Sequence, residues 1–275
     1  MTDMPVVESG GAKIPIVGLG TWTLGGRDCV RLVEAALDAG YRHIDTAQMY
    51  GNEAEVGEAV RRSGRRDAVF VTTKVAPGNL SARDFERSAK DSLSQMRLPF
   101  VDLLLIHWPN SSIPLAETIG ALNKMRREGL TKHIGVSNFT VALLEEAIRL
   151  SDAPIVCNQF ECHPFLDQDK LIAACRKHKV AVVAYSPVAR GRAEGSHVLE
   201  RIGKAHGKSA AQVSLRWLVQ QGIVVIPRTS KVERLKENID LFDFELSAAD
   251  MKAIGTLSHA GGRIVNFAGY APQWD

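Results

Sequence analysis

The stretch "VDLLLIHW", residues 101–108, decides how this chain folds. Leu103, Leu104, Leu105 and Ile106 follow one another with no polar residue between them. A strand with one face in water alternates apolar and polar side chains. An unbroken apolar run needs cover on both faces, as a strand has in a parallel sheet flanked by helices. Runs of the same kind recur outward from it in both directions. "VGLG" (17–20), "RHID" (42–45) and "VFVTTK" (69–74) precede it, and "KHIGVS" (132–137), "IVCNQ" (155–159), "VAVVAY" (180–185) and "VVIP" (224–227) follow, making eight strands.

Longer amphipathic segments separate these runs. "CVRLVEAALDAG" (29–40) puts Val30, Val33 and Leu37 at helical spacing and stops at Gly40. "NEAEVGEAV" opens on Asn52 as an N-cap, with Glu55 completing a capping box. "SARDFERSAKDSLSQM" opens on Ser81, with Asp84 in its first turn. Further helical patterns begin at Pro114, Thr140, Gln168 and Ser209. A helix after each strand predicts an α/β fold, a (β/α)8 TIM barrel; an open doubly wound sheet is the structural alternative. "VVESGGAKIPI" (6–16) reads as a small hairpin turning at Gly10-Gly11, a plug for the barrel bottom. "SHVLERIGKAHG" (196–207) and the segment from Ser247 add helices near the C-terminus, before a Gly/Pro-rich tail that carries Trp274. With no linker or repeat, residues 1–275 read as a single domain.

Composition narrows the function classes. Apolar residues make up 45% of the chain and the net charge is only +3, so neither nucleic acid nor a membrane surface is implied as a partner. The densest basic stretch, "RRSGRR" (61–66), reads as a solvated helix end and loop. The N-terminus lacks the basic and apolar regions of a signal peptide, which makes the cytoplasm the expected compartment. Cys29, Cys157, Cys162 and Cys175 have no CxxC spacing and read as free thiols, and no metal motif is present.

A barrel gathers the last residues of its strands at one rim, where barrel enzymes hold their chemistry. Here those positions include Gly20, Asp45, Lys74, His107, Ser137 with Asn138, Gln159, Tyr185 and Arg228, and Tyr50 lies on the loop after Asp45. A free phenol, with a pKa of about 10, is a weak proton donor at neutral pH, and a nearby ammonium lowers that value. Lys74 suits this role, and Asp45 suits that of the carboxylate keeping Lys74 charged. His107 can donate a hydrogen bond that orients a carbonyl. Such a set could protonate an oxygen while hydride arrives at the attached carbon. Each residue alone has an ordinary reading, as a loop cap, an ion pair, a rim histidine or a packed aromatic. Four such coincidences on neighbouring strand ends are harder to accept. After the eighth strand, Arg228, Lys231, Arg234 and Lys236 cluster where barrels often bind phosphate, and Arg has the fork geometry for it. The sequence lacks a strand-then-helix GxGxxG, so a Rossmann site is not available.

The chain resembles the aldo-keto reductase family along nearly its whole length. The motifs are "GLGTW" (18–22), "GYRHIDTAQMYGNE" (40–53), "TTK" (72–74), "VDLLLIHWP" (101–109), "IGVSNF" (134–139), "NQFECHP" (158–164), "AYSP" (184–187) and "IPRTSKVERLKEN" (226–238). The compact loops and the "APQWD" ending resemble the bacterial branch that reduces 2,5-diketo-gluconate, its B form above all. The resemblance implies a catalytic tetrad of Asp45, Tyr50, Lys74 and His107, with Tyr50 as general acid, and an extended NADPH across the rim. It implies that Ser137, Asn138 and Gln159 hold the carboxamide and that Tyr185 stacks on the nicotinamide. Gly20, Thr21, Trp22, Asp45 and Ser186 would complete the cofactor contacts. Arg228, Thr229 and Arg234 would hold the 2′-phosphate, Glu237 and Asn238 the adenine. Many relatives have Lys-Ser where this chain has Arg228-Thr229, and "YSPVARGR" departs from the commoner wording, offering Arg190 or Arg192 to the pyrophosphate.

Trp22, Trp108, Phe139 and Trp274 are expected to wall an apolar substrate pocket, with Tyr50 and His107 at its reacting end. The implied activity is reduction of small dicarbonyls or keto-sugars, such as methylglyoxal or 2,5-diketo-gluconate, by a monomer. Two alternatives stand beside it: a non-catalytic NADPH-binding sensor or accessory subunit on the same fold, and a phosphate-binding barrel isomerase or aldolase, the aldolase using Lys74 as a Schiff base.

Overall fold

The computed structural model describes residues 4–275; residues 1–3 of the N-terminal stretch read above lie outside the described residues. Strands β1 (Val6–Ser9) and β2 (Ala12–Pro15) form the expected antiparallel hairpin. Eight parallel strands follow in chain order: β3 (Leu19–Gly20), β4 (His43–Asp45), β5 (Phe70–Val75), β6 (Val101–Ile106), β7 (Thr131–Ser137), β8 (Ile155–Glu161), β9 (Ala181–Tyr185) and β10 (Val224–Val225). Each pairs with the next, and the first meets the last. Gly18 N–H donates to Val225 O, Gly20 N–H donates to Pro227 O, and Val17 bridges Val225. The sheet is thereby a closed barrel, and the open doubly wound alternative is set aside. At this seam a Cβ on Gly20 would come within 2.9 Å of Ile226 O, so the close approach of first and last strands requires glycine there.

The helices are α1 (Gly26–Ala39), α2 (Glu53–Arg62), α3 (Ala82–Met96), α4 (Leu115–Arg127), α5 (Val141–Leu150), α6 (Asp169–Lys177), α7 (His197–His206), α8 (Ala210–Val219), α9 (Glu233–Ile239) and α10 (Ala248–Gly255). In β6 all six residues are buried, and alternate side chains serve two cores. Leu104 and Ile106 face the helix layer, whereas Leu103 and Leu105 point into the barrel. Ala12 and Ile14 of the hairpin join that inner cluster, corking the end opposite the strand termini. Gly40 ends α1 at φ 108°, a conformation that only glycine adopts readily.

Several local expectations are corrected. Asn52 precedes α2 but makes no side-chain cap. Its amide turns inward, donating to Thr21 O at 2.8 Å and Leu24 O at 2.9 Å and accepting from Thr46 Oγ1 at 2.7 Å, so no capping box forms with Glu55. Ser81 does cap α3, accepting from Asp84 N–H. Arg66, at the end of the basic stretch, is not solvated: it pairs with the buried Asp102 carboxylate at 2.8 Å. All four cysteines are free and buried, and burial pushes the thiols of Cys29, Cys162 and Cys175 up to about 12. Among the described residues no helix is long and apolar enough to cross a membrane, and no metal-holding group of His, Cys, Asp and Glu occurs.

Candidate active site

Three neighbouring strands and one loop bring the four central side chains together. Asp45 ends β4, Lys74 lies near the end of β5, His107 follows β6, and Tyr50 closes a single 3-10 turn over Gln48–Tyr50. Gln48 fixes that turn, accepting from Ala76 N–H and donating to Ser88 O, each at 2.9 Å. Lys74 is fully buried and has three oxygen partners: Asp45 Oδ1 at 2.5 Å, Thr46 O at 2.9 Å and the Tyr50 hydroxyl at 3.4 Å. The other Asp45 oxygen accepts from Gln159 Nε2 at 2.7 Å. The rings of Tyr50 and His107 meet edge-on, 5.6 Å between centroids.

The electrostatics follow from burial and these contacts. Burial works against the Lys74 charge, but the Asp45 carboxylate and Tyr50 outweigh it, and the ammonium is held above its usual range. A charged lysine that makes no part of the cleft wall is badly suited to Schiff-base attack. Burial pushes the Tyr50 hydroxyl up, Lys74 draws it down, and the net direction is upward. Lys74 thus lowers this pKa as expected, but the ammonium offsets only part of a larger desolvation effect, and the phenol rests protonated. Burial first, and then Lys74, push His107 well below its ordinary value, leaving it neutral. Its buried Nδ1 has no protein partner.

A cleft of about 920 Å³ runs from this group along the rim. Its wall includes Gly20, Thr21, Trp22, Asp45, Tyr50, His107, Trp108, Asn138, Tyr185, Ser186, Arg228, Thr229, Arg234 and Asn238. Ser137 and Gln159 lie behind the wall rather than on it. Gln159 Nε2 is spent on Asp45, and Ser137 Oγ donates to Gln159 O at 2.8 Å. Glu237 lies off the cleft, accepting from Ser209 Oγ at 2.5 Å. Asn138, at φ 61°, presents its Oδ1 to the Tyr185 hydroxyl at 2.7 Å. Ser186 is also left-handed at φ 50°, so two strand ends carry strained backbone at the site.

Arg190 lines the cleft with its guanidinium 4.7 Å over the Trp22 ring, whereas Arg192 does not line it. Arg234 is ion-paired with Glu194. Phe139 is a core residue and not part of the pocket, because its ring is fully buried among the helices. Its place is taken by Phe267, which packs against Trp108 at 5.8 Å; Trp274 reaches Trp108 from behind at 6.1 Å. Met49, Asn266 and Phe267 are wall residues that sequence reading did not find. Met49 adjoins Tyr50 and could have been suspected, but nothing in the irregular tail marks Asn266 or Phe267.

Comparison with known proteins is consistent with this geometry. The profile of the Aldo/keto reductase family matches residues 16–259. The methylglyoxal reductase DkgB of Escherichia coli O157:H7 is 41% identical over 266 residues, covering 95% of this chain and 99% of that protein. A crystal structure provisionally described as a 2,5-diketo-D-gluconic acid reductase B superposes with TM-score 0.97 at 49% identity, over 99% of this chain and 98% of the other. A Bombyx mori aldo-keto reductase in complex with NADP gives TM-score 0.87 at 32% identity, over 94% of both chains.

Proposed function

The chain belongs to the aldo/keto reductase family, and from that premise we propose that it is an NADPH-dependent reductase of small dicarbonyls or keto-sugars, with Tyr50 as general acid. The observation that carries this reading is the Lys74 ammonium, held behind the cleft wall between the Asp45 carboxylate and the Tyr50 hydroxyl. Bound NADPH would supply hydride to the carbonyl carbon. Tyr50 gives its proton to the carbonyl oxygen as charge develops there, and the phenolate left behind is stabilised by Lys74. Neutral His107, which lines the cleft beside Tyr50, orients the carbonyl. The residues present suit the cofactor: Arg228, Lys231 and Arg234 bring three cations to one end of the cleft, the chemistry a 2′-phosphate needs. Asn138 and Tyr185 stand on the wall where a nicotinamide could be held, with Ser137 and Gln159 supporting from behind, whereas Asn238 would face the adenine with Glu237 off the cleft beside it.

Met49, Trp108 and Phe267 make an apolar surround for Tyr50 and His107, which favours small carbonyls such as methylglyoxal, the substrate named for the E. coli relative. We read residues 1–275 as one barrel domain acting as a cytoplasmic monomer.

The test is a panel of methylglyoxal and 2,5-diketo-gluconate with NADPH and NADH in parallel, followed at 340 nm. NADPH consumption is expected with at least one carbonyl. Tyr50→Phe should lower kcat by about a thousandfold or more while NADPH binding, read by fluorescence, is kept. Full turnover by that variant would refute the proton-donor role.

A further inference from the structure

β8 ends on Glu161, whose side chain is fully buried and forms no part of the cleft wall. Its Oε1 accepts from the backbone N–H of Ile264 at 2.7 Å and its Oε2 from that of Val265 at 2.8 Å. His163, equally buried, contacts Oε1 at 2.9 Å. The His163 tautomer follows from its other nitrogen. Nδ1 accepts from the Phe165 N–H at 3.3 Å, so the proton sits on Nε2 and is donated to Glu161. Three N–H groups thus converge on one carboxylate. The neighbouring guanidinium of Arg263 lies on the Trp274 ring at 3.7 Å rather than on Glu161.

The segment held in this way has no helix or strand of its own beyond α10. It nevertheless supplies Ile264, Val265, Asn266 and Phe267 to the cleft wall. Its far end is tied separately, where Asp275 accepts from Val141 N–H at 2.9 Å. Two successive peptide N–H groups bound to the two oxygens of one carboxylate set the register of the tail to the residue. A slip of one position would carry Phe267 off Trp108.

We propose that Glu161 is the positioning residue for the substrate wall, acting on carbonyl specificity through the C-terminal tail without touching the substrate. The proposal rests on the carbonyl-reduction reading above. Glu161→Gln keeps the side chain's size but turns an NH2 group toward one of the tail amides. The measurements are steady-state kinetics with methylglyoxal, NADPH titration by fluorescence, and hydrogen exchange at residues 264 and 265. KM is expected to rise about tenfold or more, kcat to change less than about threefold, and the NADPH Kd to hold, with faster exchange at both amides. In a Phe267→Ala background the KM effect should shrink to within about twofold, because the wall it positions is already lost. A folded Glu161→Gln enzyme with wild-type KM overturns the proposal, and so does a KM effect that adds in full to that of Phe267→Ala. Should the Gln variant not fold, Glu161→Asp, which keeps the charge but withdraws it by one methylene, is judged by the same outcomes. A wild-type chain that oxidises NADPH with no carbonyl defeats the reductase reading instead, and exchange at the two amides still reports on the anchor.

Discussion

Lys74 carries a charge to a place where water cannot reach it, and Asp45 is what makes that tolerable. Removing one partner of a buried pair leaves the other uncompensated, which is the expensive outcome. Lys74→Met should therefore destabilise the chain by about 3–5 kcal/mol in urea unfolding, and adding Asp45→Asn should restore part of the loss. If the double variant were less stable than Lys74→Met alone, the pair would not be the coupled unit described. Tyr50 makes a second claim at this scale. On the proposed mechanism reduction needs the protonated phenol, and its pKa lies above that of an ordinary tyrosine. Reductive kcat/KM should then stay level through neutral pH and fall only as pH rises past the usual tyrosine range. Because Lys74 draws that pKa down, removing the ammonium moves the alkaline fall to higher pH. A fall near neutrality in the wild type would point to another group as the acid.

At the scale of elements, the loops do more to fix the site than the strands that present it. Asn52 ties the β3–α1 loop to the β4–α2 loop through three hydrogen bonds, at full burial. Asn52→Ala leaves two carbonyls and a hydroxyl without their partner and should cost about 2–4 kcal/mol, read as a fall in the urea midpoint at unchanged slope. A loss under 0.5 kcal/mol, the size expected of a surface change, would show that the loops hold without it. The elements were largely legible from periodicity, because parallel strands under helices must be apolar on both faces and "VDLLLIHW" is. Asn52 was misread because its local pattern fits a cap, while its true partners, Thr21, Leu24 and Thr46, lie in other loops that spacing cannot relate to it. Arg66 was misread for the same kind of reason, since Asp102 is distant in sequence. Phe139 looked like a rim aromatic because it follows Ser137 and Asn138, but the turn after β7 sends its ring into the helix layer. Phe267 was invisible because its tail has no period to read.

Taken whole, the molecule is built around a buried barrel interior that holds a histidine. His43 is fully buried near the foot of the barrel, bonded to Thr72 Oγ1 at 3.1 Å. Burial, despite the raising effect of Asp45, lowers its pKa from 6.5 to about 4. The sign follows: between those values the unfolded chain binds a proton that the folded chain refuses, so stability falls as pH drops from about 6.5 to 4. The contribution is on the order of 3 kcal/mol at the acid end of that window. Carboxylates titrate there too, so the quantity to compare is the wild-type slope against that of His43→Gln, which should be shallower. Equal slopes would mean that His43 is not the group responsible. At this scale the barrel could be anticipated from the alternation of strands and helices, the hairpin from its Gly10-Gly11 turn, and the meeting of Asp45, Lys74, His107 and Tyr50 from the strand ends and the loop that carry them. The pairing that closes the barrel could not: "VGLG" and "VVIP" read as strands, but β3 and β10 keep only two residues each, and nothing in either run says that the two meet.

That seam has a bearing on how the chain comes off the ribosome. The partners of residues 17–20 lie at 225–227, far along the chain from them. At ordinary elongation rates the first strand waits on the order of ten seconds or more before its neighbour has even been made. Through that interval the nascent sheet has two bare margins, and whatever shields them during synthesis, a chaperone or the helices already formed, governs how much of the protein reaches its finished state.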